Sequence, residues 1–230
     1  MSGGCTRETL RCKFWAQGEH YVRPPCCTQH LQNLLFFTHH LLERHGIPHW
    51  LDFGALLGAA RNGEFIPWDS DVDFGILGDD LSRLRALEDE VNRADHWLDT
   101  RDPLVWRIQL SKTNAQHVDL FPWREEEGVL KIRWPGYADD SWAFPRRFLD
   151  GAEPVELYGQ RFPAPAPLEE FLARYRYGPD FHIPLRPEEI AMRERIEPQV
   201  RAFVARRALH GLASAEDACR DQAGEAGRLG

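Results

Sequence analysis

This sequence lacks both an excess of basic residues and any long apolar run. Its 230 residues include 28 lysines and arginines against 36 aspartates and glutamates, a formal net charge of −8. A surface of this sign has no general attraction for a nucleic-acid backbone or an anionic membrane. No segment approaches the roughly 20 apolar residues that a transmembrane helix needs. We therefore expect neither a nucleic-acid-binding nor a membrane-spanning protein.

Cysteine is also scarce, and its distribution is uneven. Of the five cysteines, Cys219 stands alone near the end, where we expect an inert thiol. The other four lie within the first 27 residues, and they are Cys5, Cys12, Cys26 and Cys27. Four thiolates so close in sequence can bind a tetrahedral zinc ion, although two disulfides or free thiols fit the same spacing. Residues 1–27 are thus predicted to form a small cysteine-rich segment.

Periodic apolar residues predict a mixed α and β core. With 43% hydrophobic residues, the chain can bury one sizeable core. Leucines that recur at spacings of three and four predict a helix from Thr28 to Gly46. Further strands are predicted at 49–53, 72–77, 105–110, 117–121 and 129–133, and further helices at 55–61, 80–97, 168–175 and 187–209. We expect an α+β fold in which a mixed sheet is flanked by helices.

The chain is predicted to have three parts. Residues 1–27 are the cysteine-rich segment, and residues 28–210 form the main domain. Within that domain, the proline-rich stretch 134–167 is typical of long loops with short strands, which often shape a substrate site. Residues 211–230 have few large apolar side chains, so we expect a disordered tail.

The acidic run at Asp69, Asp71 and Asp73 is the strongest functional pattern. Asp71 and Asp73 are two residues apart at the start of a predicted strand, so their side chains point to one face, roughly 7 Å apart along the backbone. Two ionised groups beside apolar Phe74 cost stability unless an ion compensates them. Magnesium prefers such oxygen ligands. Asp119 completes the site if its strand is a neighbour, whereas aspartates that only occupy turns are the alternative, above all for Asp69.

Gly54 separates a predicted strand from a predicted helix, an arrangement that suits phosphate binding. His39 and His40, in contrast, are successive residues of one predicted helix and do not face each other. For this histidine pair the spacing favours packing over metal binding.

Several stretches together resemble a known family. Residues 50–61 read WLDFGALLGAAR and are followed by Gly63 and by IPWDSDVD at 66–73. Further matching stretches are RIQ at 107–109, HVDL at 117–120 and YGP at 177–179. The chain resembles, over about residues 5–185, the LicD family of phosphotransferases, which includes fukutin-related protein. Its catalytic domain is similar to the nucleotidyltransferase fold.

This resemblance implies a metal-dependent transferase. The enzyme would move ribitol phosphate, glycerol phosphate or phosphocholine from a CDP-linked alcohol to a hydroxyl of a glycan or polyol-phosphate acceptor, and CMP would leave. The implied location is cytoplasmic, or the Golgi lumen if the chain is a piece of a membrane-anchored protein. A nucleotidyltransferase that releases pyrophosphate and an inactive zinc-stapled binding domain are the alternatives.

The resemblance also implies roles for individual residues. Asp71 and Asp73 would bind Mg²⁺ or Mn²⁺, with Asp119 as third ligand or general base and Asp69 as support or proton acceptor. The substrate-binding candidates are Gly54, Arg61, Arg107 and Gln109. The two arginines are candidates for phosphate binding because guanidinium groups present paired donors to phosphate.

Two further features refine these roles. Ala55 follows Gly54 where many nucleotidyltransferases have serine, so backbone N–H groups would have to contact phosphate there. The likeness extends to Arg23-Pro24-Pro25-Cys26-Cys27, and it implies that Cys5, Cys12, Cys26 and Cys27 bind a structural zinc ion.

Overall fold

The computed structural model describes residues 6–9, 23–132, 142–151 and 153–184. Within this part of the chain, a seven-stranded mixed sheet is packed against helices, and a separate two-stranded sheet lies beside it. The predicted α+β class is therefore confirmed. The expectations for Cys5, Cys12, the helix at 187–209 and the tail at 211–230 fall outside the described residues.

Helix α1 (Pro25–Arg44) packs its leucine stripe into the core, with Leu31, Leu34 and Leu35 fully buried. It begins three residues earlier than predicted because Pro25 stands in the first turn, where proline loses no hydrogen bond. Gly46, at φ 59°, turns the chain after the helix.

The sheet brings together strands that are distant in the sequence. Its main path has the order β1-β2-β5-β4-β3, and these strands are β1 (His49–Leu51), β2 (Val72–Leu77), β3 (Trp97–Asp99), β4 (Trp106–Gln109) and β5 (His117–Glu126). Strands β2 and β5 are parallel, with Asp73 opposite Asp119. The adjacency on which the third acidic ligand depends is thus present.

Helix α2 (Phe53–Arg61) connects β1 to β2. Its N-cap is Asp52, whose carboxylate accepts the Phe53 N–H at 2.9 Å. Phe53 has a φ of 42°, a conformation that costs a non-glycine residue energy. Surrounding contacts must therefore hold this turn.

The single helix predicted at 80–97 is wrong in part. Two short helices, α3 (Leu81–Arg85) and α4 (Glu88–Arg93), stand in its place, and the chain then enters β3. Asp95, at φ 61°, ends the helical path. Pairing of Leu98 with Ile108 of β4 stabilises a strand where the local pattern favoured a helix.

The remaining elements close the core. Strands β6 (Val129–Lys131) and β7 (Phe144–Pro145) extend the sheet from β5. Short strands were expected in the proline-rich stretch, and β8 (Glu153–Leu157) and β9 (Gln160–Ala164) form a hairpin there. Helix α5 (Leu168–Phe171) continues as a wider turn over Leu172–Arg176.

Candidate active site

Four carboxylates converge where β2 and β5 begin. Asp69, Asp71 and Asp73 each offer an oxygen within 4.8 Å of the other two, and Asp71 and Asp119 form a similar group with His117. The parallel register of β2 and β5 places Asp73 beside Asp119. We call Asp69, Asp71, Asp73 and Asp119 the carboxylate cluster.

Burial makes this cluster an unfavourable place for negative charge. It raises the pKa of Asp69 to about 8, and the neighbouring Asp71 adds to the shift. Burial, followed by the charges of Asp71, Asp69 and Asp119, raises the pKa of Asp73 well above its ordinary value. The pKa of Asp119 is also raised by burial, although His117 and Arg107 oppose the change. A bound divalent cation would offset this repulsion, so the donor set fits a hard metal ion.

His117 faces the same cluster and was not among the predicted site residues. Its Nδ1 donates to the Ala115 carbonyl at 2.7 Å, so in the neutral ring Nε2 carries the lone pair. This Nε2 lies 3.4 Å from Asp119 and 3.9 Å from Asp71. The sequence contains a pattern that could have identified His117, because His117 and Asp119 are two residues apart on one strand and their side chains therefore share a face.

Gly54 lies against Asp69. A Cβ at position 54 would come within 1.9 Å of Asp69 Oδ2. The missing side chain therefore lets the carboxylate approach the start of α2, whose first N–H groups carry partial positive charge.

Arg23 holds the segment that carries Asp69, a role that the sequence did not reveal. Its guanidinium donates to the Ile66 carbonyl at 3.0 Å and to the Asp69 carbonyl at 2.6 Å. Its backbone N–H donates to the Pro67 carbonyl at 2.8 Å. These bonds hold the backbone on both sides of Trp68, and so they fix the point from which the Asp69 side chain extends.

A buried ion pair between Asp52 and Arg176 supports the start of α2. Arg176 Nε donates to Asp52 Oδ1 at 2.6 Å and Nη2 to Oδ2 at 2.8 Å, and both side chains are fully buried. The guanidinium carbon lies 4.5 to 5.2 Å from the centres of four aromatic rings, those of Phe53, Trp123, Phe144 and Phe171. This pair holds the strained turn at Phe53 in place.

The four predicted substrate-binding residues have different surroundings. Gly54 touches the cluster through Asp69, and Arg107 Nε donates to Asp119 Oδ1 at 2.8 Å. Gln109 donates instead to Asp99 at 3.1 Å. Arg61 donates to the carbonyls of Phe181 and Ile183, at 2.5 and 3.0 Å. In the described part of the chain, Arg107 is thus the one of these four that hydrogen-bonds to a cluster residue, and Gly54 lies against Asp69 without a bond to it.

Tyr177 stands beside the carboxylate cluster and remains 40% exposed. Burial raises its pKa well above the ordinary tyrosine value, and the charges of Asp73, Asp69 and Asp52 raise it further. The Tyr177 hydroxyl is thus close enough to the carboxylates for their charges to raise its pKa, while part of the residue is open to solvent. A ligand bound at the cluster could contact such a side chain.

Two of the four predicted zinc ligands, Cys26 and Cys27, lie in the described part of the chain. Cys26 is half-buried and Cys27 buried, both in the first turn of α1. The Cys27 carbonyl accepts from Gln116 at 3.1 Å. The zinc assignment stays a prediction, because Cys5 and Cys12 lie outside the described residues.

Comparison with known families decides the classification. The sequence model of the LicD/FKTN/FKRP nucleotidyltransferase domain matches residues 46–167, more than half of the chain. The chain belongs to this family. The match includes the whole carboxylate cluster, as well as Gly54, Arg107 and His117. Family membership, predicted from the sequence, is therefore confirmed.

Curated relatives of this LicD-family domain include two named transferases. The human ribitol 5-phosphate transferase FKRP is 36% identical over 192 residues, which cover 76% of this chain and 38% of that protein. The Haemophilus influenzae lipopolysaccharide cholinephosphotransferase LicD is 43% identical over 51 residues, or 22% of this chain and 19% of that protein. The chain thus corresponds to well under half the length of the human relative.

Among solved structures, the lincosamide adenylyltransferase LnuA aligns with a TM-score of 0.44 and 12% identity, over 78% of this chain and 96% of that chain. A likeness of this size carries no argument about function. Among the described residues of the LicD-family domain, no helix has both the length and the apolar character to cross a membrane.

Proposed function

We propose that this domain is a metal-dependent transferase that moves a phospho-alcohol group from a CDP-linked donor to a hydroxyl of a glycan or polyol-phosphate acceptor, with release of CMP. One observation carries the proposal: a member of the LicD family has four carboxylates and a histidine at the adjacent ends of two parallel strands. The names of two relatives, a ribitol 5-phosphate transferase and a cholinephosphotransferase, support the phospho-alcohol class.

Asp71 and Asp73 are proposed to hold a Mg²⁺ or Mn²⁺ ion, with Asp119 or His117 as a further ligand. When bound, such an ion supplies charge neutralisation for the donor phosphates. Arg107 holds Asp119 through its hydrogen bond and so orients that ligand. Phosphoryl transfer needs positioning and charge compensation more than covalent help from the protein, and this cluster could provide both.

Asp69 is proposed to accept the proton of the attacking hydroxyl. Its backbone is fixed by Arg23, and its carboxylate lies beside the start of α2. Asp119 is less suited to this role because Arg107 already occupies one of its oxygens. The first N–H groups of α2, at Gly54 and Ala55, are proposed to face a donor phosphate.

The donor is best identified by binding. We would measure the thermal unfolding of the full chain with CDP-ribitol, CDP-glycerol or CDP-choline, each with Mg²⁺ or Mn²⁺. Selective binding of one donor raises Tm by mass action, by an amount that grows with donor concentration. A metal-dependent shift with one of the three names the alcohol, whereas no shift with any of them argues against the CDP-alcohol class.

The reaction products separate the proposed transfer from its main alternative. The family description names a nucleotidyltransferase domain, so transfer of a nucleoside monophosphate is a specific second candidate. That reaction releases pyrophosphate, whereas phospho-alcohol transfer from a CDP-linked donor releases CMP. Chromatography of the nucleotide products decides between them. An inactive binding domain would give neither product and would tolerate substitution of Asp73.

A further inference from the structure

A second polar cluster, which is partly buried, lies at the other end of the β1–β2 pair. It consists of His39, His40 and Glu43 on α1 together with His49 on β1, and we call it the histidine cluster. His39 and His49 are 2% and 7% exposed. His39 Nδ1 lies 2.8 Å from His49 Nε2, and His49 Nδ1 lies 2.9 Å from the Ile47 carbonyl oxygen. These two contacts fix which ring nitrogens carry hydrogen.

The hydrogen bonds leave a lone pair on His39. A carbonyl oxygen only accepts, so His49 Nδ1 must donate to Ile47, and His49 Nε2 is an acceptor in the neutral ring. His39 Nδ1 must then donate to His49, which makes His39 Nε2 an acceptor as well. This Nε2 faces Glu43 Oε2 at 3.5 Å. Two acceptors thus face each other with no hydrogen between them.

The surroundings of His39 favour its neutral ring. The residue is 2% exposed, and burial of this degree disfavours the charged form of a side chain. The neutral imidazole is the form that binds metals.

The distances between the acceptors suit metal ligands better than hydrogen-bond partners. Glu43 Oε2 lies 3.5 Å from His39 Nε2 and 3.9 Å from His40 Nδ1, beyond an ordinary hydrogen bond of about 2.9 Å. Ligands about 2.0 Å from a tetrahedral zinc ion are separated by roughly 3.3 Å. All three residues offer ligand atoms within 4.8 Å of one another.

We propose that His39, His40 and Glu43 bind a divalent transition-metal ion of the zinc class, with a further coordination position open to water. Two imidazoles and one carboxylate favour zinc over magnesium, which prefers an all-oxygen shell. The His39-His49-Ile47 chain orients the ligand ring as outer hydrogen bonds do in zinc sites. This site is separate from the carboxylate cluster and from the cysteine segment, and it does not depend on the proposed reaction.

The site is accessible and connects two parts of the fold. The side chains of His40 and Glu43 are 60% and 56% exposed, so an ion can enter from solvent. Gln160 Nε2 on β9 lies 3.1 Å from His40 Nε2, and as placed this amide nitrogen donates to the ring. Metal binding through His40 Nδ1 requires the carboxamide to turn, so that its oxygen accepts the Nε2–H of His40. Metal binding would therefore join α1 to the β8-β9 hairpin.

Zinc content measures this proposal directly. The full chain and its His40→Ala and Glu43→Gln variants would be dialysed against buffered Zn²⁺, and bound zinc counted by elemental analysis. We expect each variant to hold one zinc ion fewer than the wild type, and added Zn²⁺ to raise the Tm of the wild type more than that of either variant. Zinc at other sites cancels in this difference.

A matched control and a folding check complete the test. His30→Ala removes a histidine ten residues earlier on α1, roughly 15 Å away along the helix, and should keep the wild-type zinc content. Because His40 and Glu43 are largely exposed, both variants should keep the wild-type circular dichroism spectrum. Equal zinc content in the wild type and the two folded variants would overturn the proposal.

Discussion

The carboxylate cluster and the histidine cluster lie at opposite ends of the same two strands. The Asp52 N–H donates to the Asp73 carbonyl at one end, and His49 pairs with Ile76 at the other. Both clusters contain buried polar groups, but the carboxylates gather negative charge, whereas burial favours the neutral rings of His39 and His49, which hydrogen-bond to each other. Buried carboxylates are stabilised by a cation or by protonation, whereas a pair of neutral imidazoles needs a partner only for its last lone pair.

The pKa shifts express the same difference with opposite directions. Burial raises the pKa of Asp69 and Asp73, and it lowers the pKa of His39 and His49. In each case burial favours the uncharged form. The two ends of the strand pair should therefore respond in opposite ways to mutation, metal and pH.

Neutralising Asp73 should separate catalysis from stability. Asp73→Asn removes a proposed metal ligand, so we expect kcat to fall by roughly 10³-fold or more, as for residues that act as a unit. The same change relieves repulsion within the carboxylate cluster, so the Tm of the metal-free protein should rise. Steady-state kinetics and thermal unfolding in chelator measure the two effects. Asp79→Asn, at an exposed site beyond β2, is the matched control and should change neither.

Removing Arg176 should show how strongly the start of α2 depends on its buried ion pair. Arg176→Met leaves the Asp52 carboxylate buried without its partner, which typically costs about 3–5 kcal/mol of unfolding free energy. Arg174→Met removes an exposed pair with Glu170 and should cost about 1 kcal/mol or less. Urea denaturation compares them. Equal losses would mean that the buried Asp52–Arg176 pair stabilises the fold no more than the exposed Arg174–Glu170 pair does.

The double variant Asp52→Asn with Arg176→Met refines this comparison. If the large loss comes from an uncompensated charge, the double variant should be less destabilised than the sum of the two single changes. Additive losses would indicate that each residue stabilises the fold through separate contacts.

Adding a methyl group at position 54 should disturb the carboxylate cluster with little change in charge. Because the Cβ of Gly54→Ala would clash with Asp69, that carboxylate must shift. A displacement near 1 Å in a catalytic arrangement can cost about 10²-fold in rate. Gly151→Ala, where a Cβ meets nothing within 4 Å, should keep full activity. An active Gly54→Ala enzyme would contradict the role given to Asp69.

The sequence predicted those features that depend on local periodicity. Leucine spacing identified α1, and the two-residue spacing of Asp71 and Asp73 placed their side chains on one face. The Asp52–Arg176 pair, in contrast, joins residues 124 positions apart, which no local pattern encodes. The contact of Gly54 with Asp69 likewise depends on how the turn after α2 folds back.

Element boundaries failed where tertiary pairing outweighed local preference. Residues 94–97 were predicted to be helical, yet β3 pairs with β4 at this edge of the sheet. For the histidine pair we expected packing, and His39 does pack in the core, with its ring centre 4.6 Å from that of Phe162. The spacing did not reveal that Glu43, one turn later, faces both rings or that His49 arrives from another element.

The pH dependence of stability should distinguish the two clusters, because their contributions to stability change with pH in opposite directions. Between about pH 4 and 6.5 the unfolded state binds more protons than the fold, because the pKa of His39 falls to about 4 on folding. His39 therefore contributes a loss of stability as the pH drops through this range. For Asp69 the sign is reversed, because its pKa rises on folding to about 8. The two contributions oppose each other below pH 6.5, and Asp69 acts without His39 above it, so the metal-free protein should lose stability as the pH rises from about 6.5 to 8.

Magnesium should remove only the contribution of the carboxylates. An ion at the carboxylate cluster favours the ionised carboxylates, so excess Mg²⁺ should remove the loss of stability towards pH 8. With this opposing contribution gone, the loss that His39 causes below pH 6.5 should become larger. Urea denaturation at a series of pH values, with chelator or with Mg²⁺, provides the measurement. An equal loss of stability towards pH 8 in chelator and in Mg²⁺ would contradict the carboxylate assignment, and the absence of any loss below pH 6.5 in Mg²⁺ would contradict the contribution given to His39.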